Sequence, residues 1–322
     1  MLTAISHKTK QFLLVLIKLS LVVAAFYFIY SKLFQNKNLS FVEFIHNLIN
    51  YSSFSTNIVV VLVFLSILNW FFEINKWQAL VSSVTEISWI EAKSQSLGAL
   101  TASLLTPNRI GDYGAKAMYY LPQYRKKIMF LNLLGNCAQM GITTIFGTVG
   151  LIYFAHHHQP QLDYYGILIW LTGIGIIGFL SIWTLKTTWL NKQAKTLYRL
   201  FGFLTRISNI IIFKVVLYSL VRYLIFSFQF YYLLALFGID MSYFEAMAAI
   251  ASMYVLSSII PSIFIFDVII KGGVAVYVFG LIGVSESIVL SIITFMWILN
   301  FVLPSIIGSY HVLRFKLPKT AS

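Results

Sequence analysis

Cysteine and acidic side chains are scarce in this 322-residue sequence, and each scarcity removes a class of protein. A single cysteine, Cys137, rules out a disulfide framework and a cysteine metal cluster. Set inside an apolar run, it reads as a small buried hydrophobe. Charged residues make up only 10% of the chain, 59% are apolar and mean hydropathy is +0.83, more apolar surface than a water-soluble fold of this length encloses in one core. No phosphate-binding loop, GxSxG elbow, HExxH helix or glycine-rich nucleotide fingerprint occurs. Ten acidic residues against 23 Lys+Arg give a net charge of +13. The basic residues fall mostly in short loops between apolar runs, which points to membrane orientation and away from nucleic acid.

What the sequence does have is long apolar runs. Six of them, near residues 11–34, 56–82, 128–155, 164–187, 208–237 and 286–313, are each long enough to span a bilayer with some tilt. The first follows Lys8 and Lys10, exceeds the apolar part of a signal peptide and lacks a small-residue cleavage pattern, so it is expected to be retained as a crossing. Residues 89–121 and 242–283 each split into two shorter apolar pieces around Pro107 and Pro261, with ionisable residues just after. Each half is marginal as a span and the pair reads as a re-entrant hairpin. The expected fold is an all-α integral membrane protein with about six full crossings plus two re-entrant helical hairpins.

The charges sort by side on this topology. One side receives Lys8 and Lys10, Lys76 and Lys93, Arg125 to Lys127, Lys186 to Arg206, and Arg314, Lys316 and Lys319. The other receives Lys32 and Lys37 among Glu43, Asp163, Asp240, Glu245 and Glu286. The positive-inside rule then puts both termini in the cytoplasm, in a plasma membrane. His156, His157 and His158 read as a solvated external loop, and Trp70, Trp77, Trp89 and other span-end aromatics as an interfacial belt.

The two halves repeat. Pro107 recurs as Pro261, 154 residues on; Asp112 and Lys116 recur as Asp267 and Lys271, and Ser66-x-x-Asn69-Trp70 as Ser219-x-x-Arg222-Tyr223. Asn132, Asn136 and Gln139 form a polar stripe on the third crossing, matched by Ser287, Ser291 and Thr294 on the sixth; either stripe can line a cavity or join helices in a dry bundle. Each repeat, 1–160 and 161–322, would be crossing, crossing, hairpin, crossing. Three crossings is an odd number, so the second copy is expected upside down, with both hairpin tips near the midplane.

The chemistry concentrates at Thr106-Pro107-Asn108-Arg109-Ile110-Gly111-Asp112-Tyr113-Gly114-Ala115-Lys116. Three charges exposed to hydrocarbon would cost about 8 to 10 kcal/mol, so they must face protein or water. A helix restarting after Pro107 puts Arg109, Asp112 and Lys116 on one face with one positive charge left over. Its N-terminus and Arg109 then suit an anion, unless the three charges merely lock the hairpin. Arg222, deep in the fifth crossing, needs a partner such as Asp112, Asp267 or a lipid phosphate. Ser94, Gly98 and Ala102, and Ala248 and Ser252, are small residues four apart that suit close helix packing.

The Pro107 to Asp112 segment resembles the P-x-R-x-G-acid motif of the lysylphosphatidylglycerol synthase transmembrane family, also called flippase-like domain proteins, and Lys76-Trp77 resembles that family's basic-Trp pair. The resemblance implies a membrane domain that moves an aminoacylated phospholipid between leaflets, a separate soluble domain performing aminoacyl transfer. With no such soluble segment in this sequence, no enzymatic activity is expected of it. Pro107, Arg109, Gly111 and Asp112 inherit the motif, Asp112 standing where the family more often has Glu. Ile265 and Phe266 stand where glycines are frequent in the second hairpin.

The function expected is translocation of a phospholipid or lipid-linked phosphate by alternating access. Arg109 and Lys116 would hold phosphate, Asp112, Asp267 and Arg222 would gate or bind an amine or coupling cation, and Lys271 is counted with them among the substrate-binding residues. Pro107, Gly111 and Pro261 would break the hairpins, and Asn69 would line the cavity with the two polar stripes. No cofactor, metal or nucleic acid is expected; membrane lipids and a separate lipid-modifying enzyme are the candidate partners. An ion-coupled carrier of a small anion, a membrane-embedded transferase using a polyprenyl-phosphate donor with Asp112 as base, and a scaffold remain as alternatives.

Overall fold

A computed structural model describes residues 15–20, 22–24, 26–27, 30–31, 55–104, 106, 109–158, 202–203, 206–259 and 267–318. Among them all regular structure is helical: α1 (Thr56–Val81), α2 (Trp89–Ser103), α3 (Gly111–Met118), α4 (Pro122–His158), α5 (Asn209–Leu236), α6 (Tyr243–Ile259), α7 (Asp267–Gly280), α8 (Glu286–Trp297) and α9 (Leu303–Arg314). A π-helical turn, Ile298–Val302, joins α8 to α9.

Among the described residues, four helical stretches are long and apolar enough to cross a membrane: α1, α4, α5 and the continuous Glu286–Arg314. They fall on four of the six apolar runs. The run at 164–187 lies outside the described residues, as does much of 11–34, of which residues 15–20 are helical. In lipid a backbone must satisfy its own N–H and C=O groups, so an uninterrupted apolar run becomes a helix.

α4 departs from expectation at both ends. It opens at Pro122 and runs 37 residues, about 55 Å at 1.5 Å per residue against a hydrocarbon core of about 30 Å. His156, His157 and His158 are therefore its last turn, not a loop; His157 stacks on Tyr153, and His158 lies 3.5 Å from Glu245.

The two split segments each give two packed helices, α2 with α3 and α6 with α7. α2 starts on a capping box: Glu91 N donates to Ser88 Oγ (3.2 Å) and Ser88 N to Glu91 Oε2 (2.7 Å). Its helix stops at Ser103 and resumes at Gly111, whose N–H donates to Thr106 Oγ1 at 2.8 Å. A Cβ at Gly111 would sit 2.8 Å from Thr106 Cγ2, so the close approach that caps α3 needs glycine there.

Small residues set the helix crossings. A Cβ on Gly150 of α4 would fall 2.7 Å from Ala251 Cβ of α6, and one on Gly308 of α9 would strike Leu97 O and Thr101 Oγ1 of α2. Thr101 Oγ1 donates across that crossing to Ser305 O at 2.8 Å. Phe230, Leu233, Ile250, Phe279 and Ile292 form one apolar core; Trp77, Leu80, Ala92, Ile128 and Leu131 form another. Val60, Ile67, Ile145 and Val149 are more than half exposed, which suits faces turned to lipid. Cys137 is exposed as well, correcting its reading as a buried hydrophobe.

Candidate functional site

The first half of the site hangs from the short helix α3. Asp112 lies in its first turn and Lys116 in its last, at i and i+4, and both side chains are buried with Lys116 Nζ 3.3 Å from Asp112 Oδ2. Asn132 of α4 bridges them: its Nδ2 donates to Asp112 Oδ2 (2.6 Å) and its Oδ1 accepts from Lys116 Nζ (2.8 Å). Lys116 Nζ also stands 4.5 Å over the Trp77 ring. Trp77 is 1% exposed and donates from Nε1 to Gln95 Oε1 at 2.8 Å, an oxygen that also accepts from Tyr120 at 2.7 Å. Trp77 therefore belongs to the interior and not to an interfacial belt, while the half-buried Trp70 donates to Asn300 O at 3.1 Å.

Arg109 does not share the α3 face with Asp112 and Lys116. It precedes the helix in a left-handed backbone conformation, φ 56°, which costs a side-chain-bearing residue about 1 to 2 kcal/mol. That turn swings its guanidinium over Phe301, with Cζ 5.4 Å from the ring centroid. Its Nε is buried and makes no hydrogen bond with any described residue.

The second half joins α1 to α5. The partner of Arg222 is Glu73, not Asp112 or Asp267: Nη1 donates to Glu73 Oε2 and, at 3.1 Å, to Gln139 Oε1, while Nε donates to Asn69 Oδ1 at 3.1 Å. Lys76 Nζ lies 2.8 Å from the same Glu73 oxygen. Lys76 is 2% exposed, so it leaves the set of loop charges and becomes a buried cation within α1. Lys116 Nζ lies over the ring of Trp77, the residue that follows Lys76 on α1, which brings the two halves side by side.

A neutral network ties these charges to the π turn. Asn69 Nδ2 donates to Asn300 Oδ1 (3.1 Å), Asn300 Nδ2 to Gln229 Oε1 (2.9 Å), and Gln229 Nε2 to Leu62 O (2.9 Å). Ser66 Oγ donates to Leu299 O at 2.6 Å, so side chains of α1 use carbonyls of the π turn.

The first polar stripe is thus fully engaged between helices: Asn132 holds α3, Asn136 donates to Tyr113 Oη (2.9 Å), and Gln139 meets Arg222 and Ser219 O (3.3 Å). The second stripe also bonds along its own helix. Ser291 Oγ donates to Ser287 O and Thr294 Oγ1 to Leu290 O, both at 2.7 Å along their own helix, and Ser287 is exposed. Asp267 opens α7 and Lys271 is exposed on it; Pro107 and Pro261 lie outside the described residues. Among the described residues no group of three His, Cys, Asp or Glu is placed to hold a metal.

Glu73, Gln95, Gln229 and Asn300 are site residues that the sequence reading did not single out. Glu73-x-x-Lys76 was the available signal, an i, i+3 acid–base pair inside an apolar run. A family model described as Lysylphosphatidylglycerol synthase TM region matches residues 15–308. No curated protein and no solved structure matches the chain.

Proposed function

The chain belongs to the membrane-embedded lysylphosphatidylglycerol synthase TM region family, and from that premise we propose that it translocates a phospholipid or lipid-linked phosphate between leaflets by alternating access. The observation that carries the reading is Arg109: a ring-seated guanidinium on a left-handed backbone, with a buried Nε that bonds no described residue, near the buried Asp112–Lys116–Asn132 group. A guanidinium offers five donors in a planar fork that fits phosphate oxygens, and one so placed has its bonding capacity in hand for a ligand. The tails of the lipid stay in the bilayer while the head group enters between helices.

The inverted repeat supplies the movement in this reading, with 1–160 and 161–322 as copies, six crossings, and α2–α3 and α6–α7 as re-entrant hairpins. The Arg222 Nε to Asn69 Oδ1 bond supports it, since these are equivalent positions of the two copies and residues near a pseudo-two-fold axis meet their own counterparts. Both termini are cytoplasmic, and the membrane is the plasma membrane. The chain is not itself an enzyme, and a separate lipid-modifying enzyme supplies or consumes its lipid.

Native mass spectrometry of protein released from its own host's membranes tests this. The wild type should retain one phosphate-bearing lipid well above its share of the bulk, and Arg109→Ala should lose it. Bulk-like lipid in both would remove the reading and put a carrier of small soluble anions in its place.

A further inference from the structure

The described charges of the site do not balance. Two carboxylates, Glu73 and Asp112, stand against three buried or half-buried cations, Lys76, Lys116 and Arg222, and Arg109 adds another positive charge on its Phe301 seat. Each carboxylate already touches a cation of the protein, Glu73 two of them. The donors are less well used. The Lys76 side chain is 3% exposed, and its three Nζ donors have Glu73, at 2.8 Å, as their one partner among the described residues; Arg109 Nε is buried and bonded to no described residue.

A site with surplus positive charge and spare donors is completed by an anion. An ammonium entering it would join the cations around carboxylates that are already paired, in surroundings where charges are felt more strongly than in water. Discrimination then comes from the like charge as much as from the attraction of phosphate. Among the three cations that touch a carboxylate, Lys76 is the natural counter-charge to add to the Arg109 fork, because Arg222 is also held by Asn69 and Gln139 and Lys116 by Asn132.

We propose that the head group taken by this site is a phosphate of net negative charge without a free ammonium, that Lys76 provides its counter-charge, and that an aminoacylated, net-cationic lipid is discriminated against. The proposal rests on the lipid-phosphate reading above and narrows it.

The test is competition among lipids. Purified full-length protein in mixed micelles holding equimolar phosphatidylglycerol, phosphatidic acid, phosphatidylcholine and lysylphosphatidylglycerol is analysed by native mass spectrometry, with and without millimolar inorganic phosphate. The wild type should retain the two anionic lipids about 10-fold or more over lysylphosphatidylglycerol, a difference of about 1.4 kcal/mol. Lys76→Gln should abolish most of that preference and Lys76→Arg should keep it. Equal or greater retention of lysylphosphatidylglycerol by the wild type overturns the proposal and leaves the lipid reading standing. A preference unchanged in well-folded Lys76→Gln overturns the assignment to Lys76. Because the wild-type ranking needs no variant, a Lys76→Gln that fails to fold still leaves the head-group class decided. No bound lipid of any class, or lipid displaced by inorganic phosphate, removes the underlying reading and the proposal with it.

Discussion

Glu73→Gln is the most informative single perturbation, because one carboxylate holds two cations. The side chains of Lys76, Glu73 and Arg222 are 3%, 14% and 19% exposed, so the pairs sit largely away from water. Removing one partner of a buried pair costs about 3 to 5 kcal/mol, chiefly through the charge left behind. Arg222 keeps its bonds to Asn69 and Gln139, both at 3.1 Å, which places the expected loss at the lower end, about 3 kcal/mol. Glu73→Gln combined with Arg222→Gln removes one charge of each sign and should cost less than Glu73→Gln alone. The two substitutions should therefore be coupled by about 2 kcal/mol or more. Reversible unfolding in mixed detergent micelles, followed by tryptophan fluorescence, gives the three free energies. A single variant within about 0.5 kcal/mol of wild type, or a double variant equal to the sum of the singles, would refute the reasoning.

Gly308→Ala should destabilise by about 1 to 3 kcal/mol, since its Cβ would strike Leu97 O and Thr101 Oγ1; Gly141→Ala, with nothing within 4 Å, should be neutral or gain up to about 1 kcal/mol. The same unfolding assay separates them. Arg109→Gly relieves a left-handed backbone and should leave stability within about 1 kcal/mol of wild type, while lipid retention in native mass spectrometry falls to bulk. Asn300→Ala leaves Asn69 Nδ2 and Gln229 Oε1 without their partner and should cost about 1 to 3 kcal/mol. It should also lower lipid retention, which Gly308→Ala at similar stability should not.

Much of the scaffold was legible because a bilayer imposes simple rules. Apolar runs become helices, and the proline with three ionisable residues at 107–116 marks the interruption between α2 and α3. The Arg109 motif was legible as chemistry too, though not its geometry: helical spacing put Arg109 beside Asp112, whereas the backbone turns left-handed and seats it on Phe301. Lys76 belongs to the interior and not among the loop charges, for a physical reason. Sorting charges by loop treats each lysine as a point in the linear sequence, and a lysine five residues before the end of α1 looks like a loop charge. Its carboxylate partner one turn earlier, Glu73, is what lets it stay inside. The histidines differ similarly, since the end of the apolar run was taken for the end of the helix; α4 continues through them, with His158 3.5 Å from Glu245.

The π turn explains why the two charged groups belong to one site. A π turn inserts extra backbone into a helix and shifts the direction of the residues that follow. Here it lets adjacent residues serve different partners. Asn300 faces α1 and α5 through Asn69 and Gln229, and Phe301 faces the α2–α3 connection beneath Arg109. In the proposed reading, a phosphate arriving at Arg109 would press on Phe301, and through the same turn on Asn300, Asn69 and Arg222. No contact between Arg109 and Arg222 is needed. The physical warrant for coupling is this shared element, held on one side by neutral hydrogen bonds and on the other by a cation over a ring. Neutral bonds suit that position: they fix the turn without adding a further buried charge to a site that already carries more positive charge than its carboxylates match.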